Sequence, residues 1–218
     1  QLTLDATDLV GGDVSRPGDT AAWARVFRGL CDLKKALHGH GHRRAIHITP
    51  TCHLTAAFAA GWVFRRSTGW ALTVTHGGSE CGASTRRVHD APVIGPRSNG
   101  AFKAAGGTLV ISVDLVPRDI AAQVVRAQGE PPRAHLPVRR TGFEREIPTE
   151  GIGAMAAAVA DAIKAHCAEV RPDRVALYMA TPAAFAVLLG AELGALGCPI
   201  VLHEHNGASY VASLDVPA

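Results

Sequence analysis

The sequence contains neither a long apolar run nor a secretion signal. No stretch among its 218 residues approaches the roughly 18 consecutive apolar residues that a transmembrane helix needs, and the N-terminus lacks the charged and then apolar segments of a signal peptide. We therefore expect a cytoplasmic protein without a membrane span. The chain begins at Gln1, and we expect it to be part of a longer protein with another domain upstream.

Paired cysteines are also missing. No two of the five cysteines lie closer than 21 residues in the sequence, which excludes a CxxC metal or redox motif. An odd number of cysteines in a chain without a secretion signal predicts reduced thiols. A chain of this length buries enough apolar surface to fold without disulfides or a structural metal.

The common nucleotide-binding motifs and a strong charge are absent too. No GxxxxGK[ST] sequence occurs, so a triphosphate-binding loop is not indicated. The spacing of Gly151, Gly153 and Ala156 matches the dinucleotide fingerprint, but charged residues and Pro148 precede it instead of a buried strand. A net charge of +3 is too weak to suggest binding along duplex DNA, yet it permits a locally basic pocket for a phosphate-bearing ligand.

What the sequence does contain is an alternation of helical and strand patterns. The spacing of apolar residues predicts helices at 19–38, 54–64, 119–127, 151–167 and 183–196. It predicts strands at 45–48, 71–75, 108–115, 175–179, 199–203 and 210–216. Residues 76–107 show no clear periodicity, and the proline-rich residues 129–150 are interpreted as a connector.

The second half repeats the order of the first. Gly61 matches Gly190 and His76 matches His205 at an offset of 129 residues. The strands 109–114 and 210–215 match at an offset of 101, which implies an insertion of 28 residues in the first half (129 minus 101). Matches in the same order favour a duplication of one structural unit.

This alternation predicts an α/β fold of two Rossmann-like halves, with mainly parallel sheets flanked by helices and related by a pseudo-two-fold duplication. We place the halves at residues 1–130 and 131–218. Ligands of such sheets lie beyond the carboxyl ends of the strands, against helix N-termini. Two related halves therefore predict one composite pocket.

Two strand-to-helix loops carry hydroxyl groups at such positions. The loops 49–53 and 180–184 offer Thr49, Thr51, Thr181 and Pro182 where a helix begins. Free N–H groups at a helix N-terminus attract phosphate. The same residues also suit ordinary helix caps, and the sequence leaves both interpretations open.

Other polar residues are predicted at strand ends. Ser112 and Asp114 share a face of one strand, Arg118 follows it, and residues 203–206 end another. Each group suits either ligand binding or capping and a solvated surface. A metal held by His203 and His205 would need a third ligand, but Glu204 points to the opposite face of an extended strand, so we expect no metal.

A thiol nucleophile is likewise not expected. Cys52 and His53 are adjacent at a predicted helix start, where a thiol pKa can fall. Neighbouring helical residues do not face each other, however, so His53 is not placed to act as a base for Cys52.

The residues as a whole resemble the SAVED family. The resemblance spans essentially the whole chain and is carried by an early strand, a tryptophan-bearing helix, two Thr-Pro loops, two helix glycines and polar strand ends: Asp5, Asp8, Arg16, Trp23, Gly61, the segment 110–115, the segment 118–120, Thr181, Pro182, Phe185, Leu189, Gly190, the segment 203–205 and Tyr210.

This resemblance implies two fused CARF-like halves that form the sensor module of a bacterial antiphage (CBASS) effector. It implies a cyclic di- or trinucleotide as ligand, self-association on binding and activation of a fused nuclease, TIR or protease domain, without catalytic residues or a cofactor in this segment. The ligand phosphates would be held by Thr49, Thr51, Thr181 and helix N-termini, with charge from Arg16 and Arg118. The bases would contact His53, Phe185 and the segment 203–206, which includes His203, Glu204 and Asn206.

Two other classes of function remain open from the residues alone. One is an enzyme that cleaves a cyclic oligonucleotide or hydrolyses a substrate with a metal at His203 and His205. The other is an interaction scaffold without a small ligand. Linear products or a bound metal would identify the first, and the absence of any stabilising ligand would favour the second.

Overall fold

The computed structural model describes residues 19–39, 44–82, 107–116, 120–128, 134–140, 147, 149–194 and 196–218, with the backbone alone at 93–94 and 150. In chain order the elements are α1 (Thr20–His38), β1 (Ala45–Ile48), α2 (Leu54–Val63), β2 (Ala71–His76), β3 (Ser79–Gly82), β4 (Val93–Ile94), β5 (Thr108–Asp114), α3 (Ile120–Gln128), β6 (Ala134–Arg139), α4 (Ile152–Val170), β7 (Arg174–Ala180), α5 (Ala183–Glu192), β8 (Ile200–His205) and β9 (Tyr210–Val216). Short 3-10 turns span Arg66–Thr68 and Thr149–Gly151.

The strands form two sheets. One has three strands in the order β1-β2-β3, and the other has six in the order β4-β6-β5-β7-β8-β9. All neighbours among β6, β5, β7 and β8 are parallel, as are β1 and β2. In both sheets the last parallel strand is followed by an antiparallel one, β3 after β2 and β9 after β8. The prediction of an α/β fold with mainly parallel sheets is confirmed.

One detail of the predicted duplication is wrong. Residues 109–114 and 210–215 were matched as equivalent strands, but β5 lies inside the larger sheet between two parallel neighbours, whereas β9 is its antiparallel edge. The strand that corresponds to β9 is β3, which pairs with β2 in the same antiparallel manner. Burial selects the same apolar residue types in unrelated strands, so similarity between two strands did not establish their equivalence.

The larger sheet also crosses the predicted boundary at 130/131. That boundary separates β5 from β6, yet the two strands are paired from Leu109 with Ala134 to Asp114 with Arg139. A division by sheets falls instead between β3 and β4. The strand β6 lies within the segment predicted as a connector. The sequence does not predict this strand because Pro137 within it weakens the strand pattern.

The two sheets are joined through α2 and α5, which cross at two glycines. A Cβ atom at Gly61 would lie 1.8 Å from the carbonyl oxygen of Val187, and one at Gly190 would lie 2.3 Å from that of Phe58. Only glycine permits such a close backbone approach. The predicted equivalence of Gly61 and Gly190 is confirmed, because each meets the other helix in the same way.

Apolar side chains of α1, α2, α4 and α5 form one core with the inner faces of both sheets. A second, smaller cluster lies on the opposite face of the six-stranded sheet, where α3 packs on Val110, Ala176 and Tyr178. None of the described helices is long and apolar enough to cross a membrane. This arrangement leaves the N-termini of α2 and α5 at the carboxyl ends of β1 and β7.

Candidate functional site

The two Thr-Pro loops occupy the predicted positions. Residues 49–53 connect β1 to α2, and residues 181–182 connect β7 to α5. His53 is the N-cap residue of α2 and Pro182 is that of α5, and neither side chain caps its own helix. The first N–H groups of both helices therefore depend on other partners.

The N-terminus of α2 is occupied by a carboxylate from the other sheet. The Oε2 atom of Glu204, on β8, accepts hydrogen bonds from the backbone N–H of Thr55 at 3.0 Å and from the Thr55 hydroxyl at 2.6 Å. Thr55 and Glu204 are both buried. Negative charge at a helix N-terminus is favourable because of the helix dipole and the free N–H groups. Glu204 thus caps α2 across the two halves of the fold.

Ser213 completes this buried cluster. Its hydroxyl lies 2.7 Å from that of Thr55 and donates to the carbonyl oxygen of Leu202 at 3.0 Å. Leu202 pairs with Leu214 while His203 pairs with Ala212, so Ser213 is the extra residue of a β-bulge. The bulge shifts the alternation of β9 and turns Ser213 inward. Sequence reasoning missed Thr55 as a functional residue, since only its position one residue into the helix signals it.

His53 contacts the same carboxylate. Its Nδ1 atom lies 3.6 Å from Oε1 of Glu204, and its ring packs edge-on against Trp23 with centroids 5.5 Å apart. The interaction with Glu204 raises the pKa of His53, and burial opposes this only in part. His53 therefore holds a proton more readily than an isolated histidine and can present positive charge at this edge.

Cys52 is not an activated thiol. Although its side chain reaches the surface, the protein packed around it and the nearby Glu204 charge raise the pKa of Cys52 to about 11. A nucleophilic cysteine needs the opposite shift. The raised pKa keeps the Cys52 thiol protonated at neutral pH, which disfavours a role as nucleophile.

The N-terminus of α5 differs from that of α2. Thr181, directly before its N-cap, is 8% exposed, and its hydroxyl has no hydrogen-bond partner within the described part of the chain. The side chain of the N-cap residue Pro182 accepts no hydrogen bond from the N–H groups of the first turn. A buried hydroxyl at a helix start is suited to donate to an anionic oxygen.

Thr49 and Thr51 are exposed and lie in the loop that leads to the N-terminus of α2. The hydroxyl of Thr49 is 3.2 Å from that of Thr75, and His47 bridges Thr73 and Thr75 at 2.8 Å each. The side chains of His47, Thr73 and Thr75 lie on the face of the three-stranded sheet opposite the buried Leu72 and Val74. Thr49 therefore offers a polar surface but is already hydrogen-bonded there.

The larger sheet separates other predicted residues from Glu204. The ring of His203 stacks on Tyr178 with centroids 4.2 Å apart, on the face covered by α3. The hydroxyl of Ser112 lies 2.8 Å from Nε2 of His135, and Asp114 is buried at the carboxyl end of the same strand. Burial lowers the pKa of His203, and the contact with the Val201 carbonyl opposes this. His203 and Glu204 thus lie on opposite faces of the sheet, as strand alternation predicts.

Two further predicted residues, Phe185 and Asn206, make structural contacts within the chain. Phe185 is completely buried in the main core, so its side chain packs and offers no ring face to a base. The side chain of Asn206 accepts from the N–H groups of Ala208 and Ser209 and closes the β8–β9 turn. Arg16 and Arg118 lie outside the described residues. Among the described residues, no three histidine, cysteine or acidic side chains are grouped as a metal site would require.

Comparison with known protein families decides the affiliation. The model of the family described as "SMODS-associated and fused to various effectors sensor domain" matches residues 30–216. The chain belongs to the SAVED family. The resemblance stated from the sequence is confirmed, and a SAVED domain is a sensor domain by its family description, not a catalytic one. None of the curated proteins matches the chain.

Solved structures share the fold of this SAVED domain. The Cap4 SAVED/CARF-domain containing receptor of Acinetobacter baumannii with the cyclic trinucleotide 3′3′3′-cAAA matches with a TM-score of 0.79 and 16% identity, over 100% of this chain and 49% of that receptor. The same receptor with 2′3′3′-cAAA gives 0.77 and 17%, over 100% and 48%. The Cap4 receptor of Moraxella osloensis gives 0.77 and 18%, over 99% and 46%. The chain thus spans about half the length of these receptors.

Proposed function

We propose that this SAVED domain senses a cyclic oligonucleotide, with a cyclic trinucleotide as the first candidate over a cyclic dinucleotide. The observation that carries the proposal is the family match over residues 30–216. It is supported by a fold shared with receptors that were solved with cyclic trinucleotides. The ligand site is the carboxyl edge of the sheets, where both Thr-Pro loops lie.

The N-terminus of α5 supports the binding of a phosphate. The helix has ten residues, its N-cap residue Pro182 offers no capping side chain, and the buried hydroxyl of Thr181 has no partner within the described ranges. His53, whose pKa is raised, adds a ring that can carry positive charge at the same edge, and the exposed Thr49 and Thr51 add hydroxyls. Arg16 and Arg118 are proposed to supply the remaining positive charge, since guanidinium groups bind oxyanions with two parallel hydrogen bonds.

Residues 203–206, at the end of β8, are proposed to contact bases. His203 is held flat against Tyr178, and His205 packs edge-on against Tyr210 with centroids 5.1 Å apart. Aromatic rings of this kind provide stacking surface for nucleobases. Because Asn206 shapes the following turn, its proposed role is to position this segment.

The proposal is tested by thermal unfolding with cyclic di-, tri- and tetranucleotides. A ligand present at about 100 times its Kd stabilises the native state by about 2.7 kcal/mol, which raises the Tm by roughly 2 to 4 °C per kcal/mol at this chain length. We expect one ring size to raise the Tm selectively. If the folded protein shows no shift with any ring, the sensor function is refuted.

Residue-level tests use matched variants. Thr181→Val is expected to weaken binding at least tenfold, whereas Thr108→Val, at the amino end of β5, leaves binding unchanged. Arg118→Ala is likewise expected to weaken binding at least tenfold. Its matched control is Arg126→Ala, on the exposed last turn of α3, which should leave binding unchanged. Equal affinities within either pair would remove that residue from the site.

The alternative function, hydrolysis of a cyclic oligonucleotide, makes a different prediction. A sensor returns its ligand intact after long incubation, and chromatography of the recovered nucleotide shows only the ring. Linear products that vanish in a His203→Ala variant would favour the hydrolase.

Binding is further proposed to drive self-association and thereby to activate a fused effector domain, a nuclease, TIR or protease, in antiphage defence. The free energy comes from a higher ligand affinity of the assembled state. Sedimentation of the domain with and without ligand is expected to show a larger assembly only with the effective ring. An unchanged sedimentation coefficient at saturating ligand would refute this part.

A further inference from the structure

The two helix ends at the proposed site are unequal in charge. In α2 the first turn already holds an anion, because Oε2 of Glu204 accepts from both the N–H and the hydroxyl of Thr55. Helix N-termini bind phosphate oxygens through the same N–H groups and the same dipole. Glu204 lies 149 positions away in the sequence and comes from the other sheet. It therefore acts as an internal anion of α2.

No described group does the same for α5. The strand in the position equivalent to β8 is β2, whose residues are Ala71–His76 and include no carboxylate. The loop before α5 instead holds Thr181, which is 8% exposed and whose hydroxyl is buried without a hydrogen-bond partner in the described part of the chain. One helix start thus already holds an anion, and the other has a donor without a partner among the described residues.

We propose that Glu204 is a specificity-determining residue that closes α2 to anions and leaves α5 as the end that accepts a ligand phosphate. The identity of the ligand rests on the proposed function, whereas the charge role of Glu204 is a property of the chain alone. A ring whose phosphates are related by a two-fold axis loses one of two equivalent contacts at such a site. A three-membered ring has no such axis, so it does not depend on two equivalent phosphate contacts and loses none of them.

The internal-anion role is tested by chemical rescue. Glu204→Ala removes the carboxylate and leaves space for acetate, which carries the same group. We expect acetate, compared with chloride at equal ionic strength, to raise the Tm of Glu204→Ala by about 2 °C more than that of the wild type. The matched control is Glu192→Ala, which removes a carboxylate that pairs with Arg66 at 3.3 Å and lies at the C-terminus of α5. An acetate response equal to that of the control overturns the role.

The specificity role is tested with a variant that keeps the shape of the side chain. Glu204→Gln is expected to bind the cyclic dinucleotide c-di-AMP about tenfold more tightly relative to the cyclic trinucleotide cAAA than the wild type does. Glu192→Gln is expected to leave that ratio unchanged. A ratio that does not rise in Glu204→Gln overturns the specificity role. If no cyclic nucleotide binds to any variant, the proposed function fails, and the acetate experiment still decides the role of Glu204 at α2.

Discussion

The helices α2 and α5 resemble each other where they cross and differ where they begin. Both have ten residues, and each has a glycine at the crossing that lets the other backbone approach. At their N-termini, α2 holds the Glu204 carboxylate, while the hydroxyl of Thr181 before α5 has no partner among the residues that the structure describes. The two halves thus share the packing that joins them and differ in the polar groups at the edge.

The largest expected effect comes from disturbing what the helices share. Gly61→Ala places a methyl group 1.8 Å from the Val187 carbonyl oxygen, so the backbones must separate. We expect a loss of about 3 kcal/mol or more in the free energy of unfolding. Gly190→Ala should behave alike, since its Cβ would lie 2.3 Å from the Phe58 carbonyl oxygen.

The control for this prediction is Gly29→Ala. Gly29 lies in α1 with no atom within 4 Å of its added Cβ, so alanine should raise stability by up to about 1 kcal/mol. Urea unfolding measures all three variants. Losses below about 1 kcal/mol for the two crossing glycines would contradict the close approach.

The next effect comes from the polar groups in which the helices differ. Thr55→Val keeps the volume of the side chain but removes a hydroxyl that contacts Glu204 and Ser213, both buried. We expect a loss of about 2 kcal/mol, because buried partners lose a hydrogen bond. Thr181→Val removes a hydroxyl without a partner in the described residues, so stability should stay equal or rise by up to about 1 kcal/mol. Similar losses at both sites would end the distinction between the two helix ends.

Stability should depend on pH in opposite ways on the two faces of β8. His53 contacts Glu204 on one face, and His203 lies on the other. The pKa of His53 is raised above 6.5 by Glu204, so its contribution to stability is complete below pH 6.5 and is lost as the pH rises through the higher folded value. The pKa of His203 is lowered by burial, so the folded state loses stability as the pH falls below 6.5.

Glutamine variants measure the two signs. The Tm difference between wild type and His53→Gln should be larger at about pH 5.5 than at about pH 8, and that for His203→Gln should be larger at about pH 8. Shifts of the same sign for both variants would contradict these assignments. In Glu204→Gln the response of His53 should shrink, because its charged partner is gone.

The smallest effect concerns the reactivity of Cys52. With a pKa of about 11, the thiol should react with iodoacetamide roughly 100-fold more slowly near neutral pH than a cysteine of ordinary pKa. Peptide mass spectrometry after timed alkylation locates the modified cysteine. Glu204→Gln should speed the reaction at Cys52, and a rate in the wild type equal to that of an unfolded peptide would refute the shift.

Elements with strong local patterns were predictable from the sequence. The strands 45–48 and 210–216 have the predicted bounds, and α2 and α5 begin at the predicted Leu54 and Ala183. The equivalence of Gly61 and Gly190 was predicted from their offset of 129 residues, whereas the contact of their helices at these glycines was not. The strand β3 was missed since its sequence, Ser79–Gly82, carries no apolar alternation and is defined by pairing with β2.

The candidate site was predictable only in outline. Its location followed from the rule that ligands lie at the carboxyl ends of parallel strands. The contact of Thr55 with Glu204 did not, since it joins residues 149 positions apart. The contact of Thr55 with Ser213 depends in addition on a bulge that reverses the alternation of β9. A polar cluster of this kind is specified by tertiary packing and not by local periodicity.

The strands of the two sheets differ in burial, and we expect this difference to set the order in which the sheets unfold locally. Apart from their first residues, β5 and β7 are buried along their whole length, whereas β1, β2 and β3 alternate with exposed or half-buried positions. Amide protons of β5 and β7 should therefore exchange with solvent only through global unfolding, and those of β1–β3 through smaller and more frequent openings. A molecule that bridges both sheets would show its presence first as slower hydrogen exchange in the three-stranded sheet.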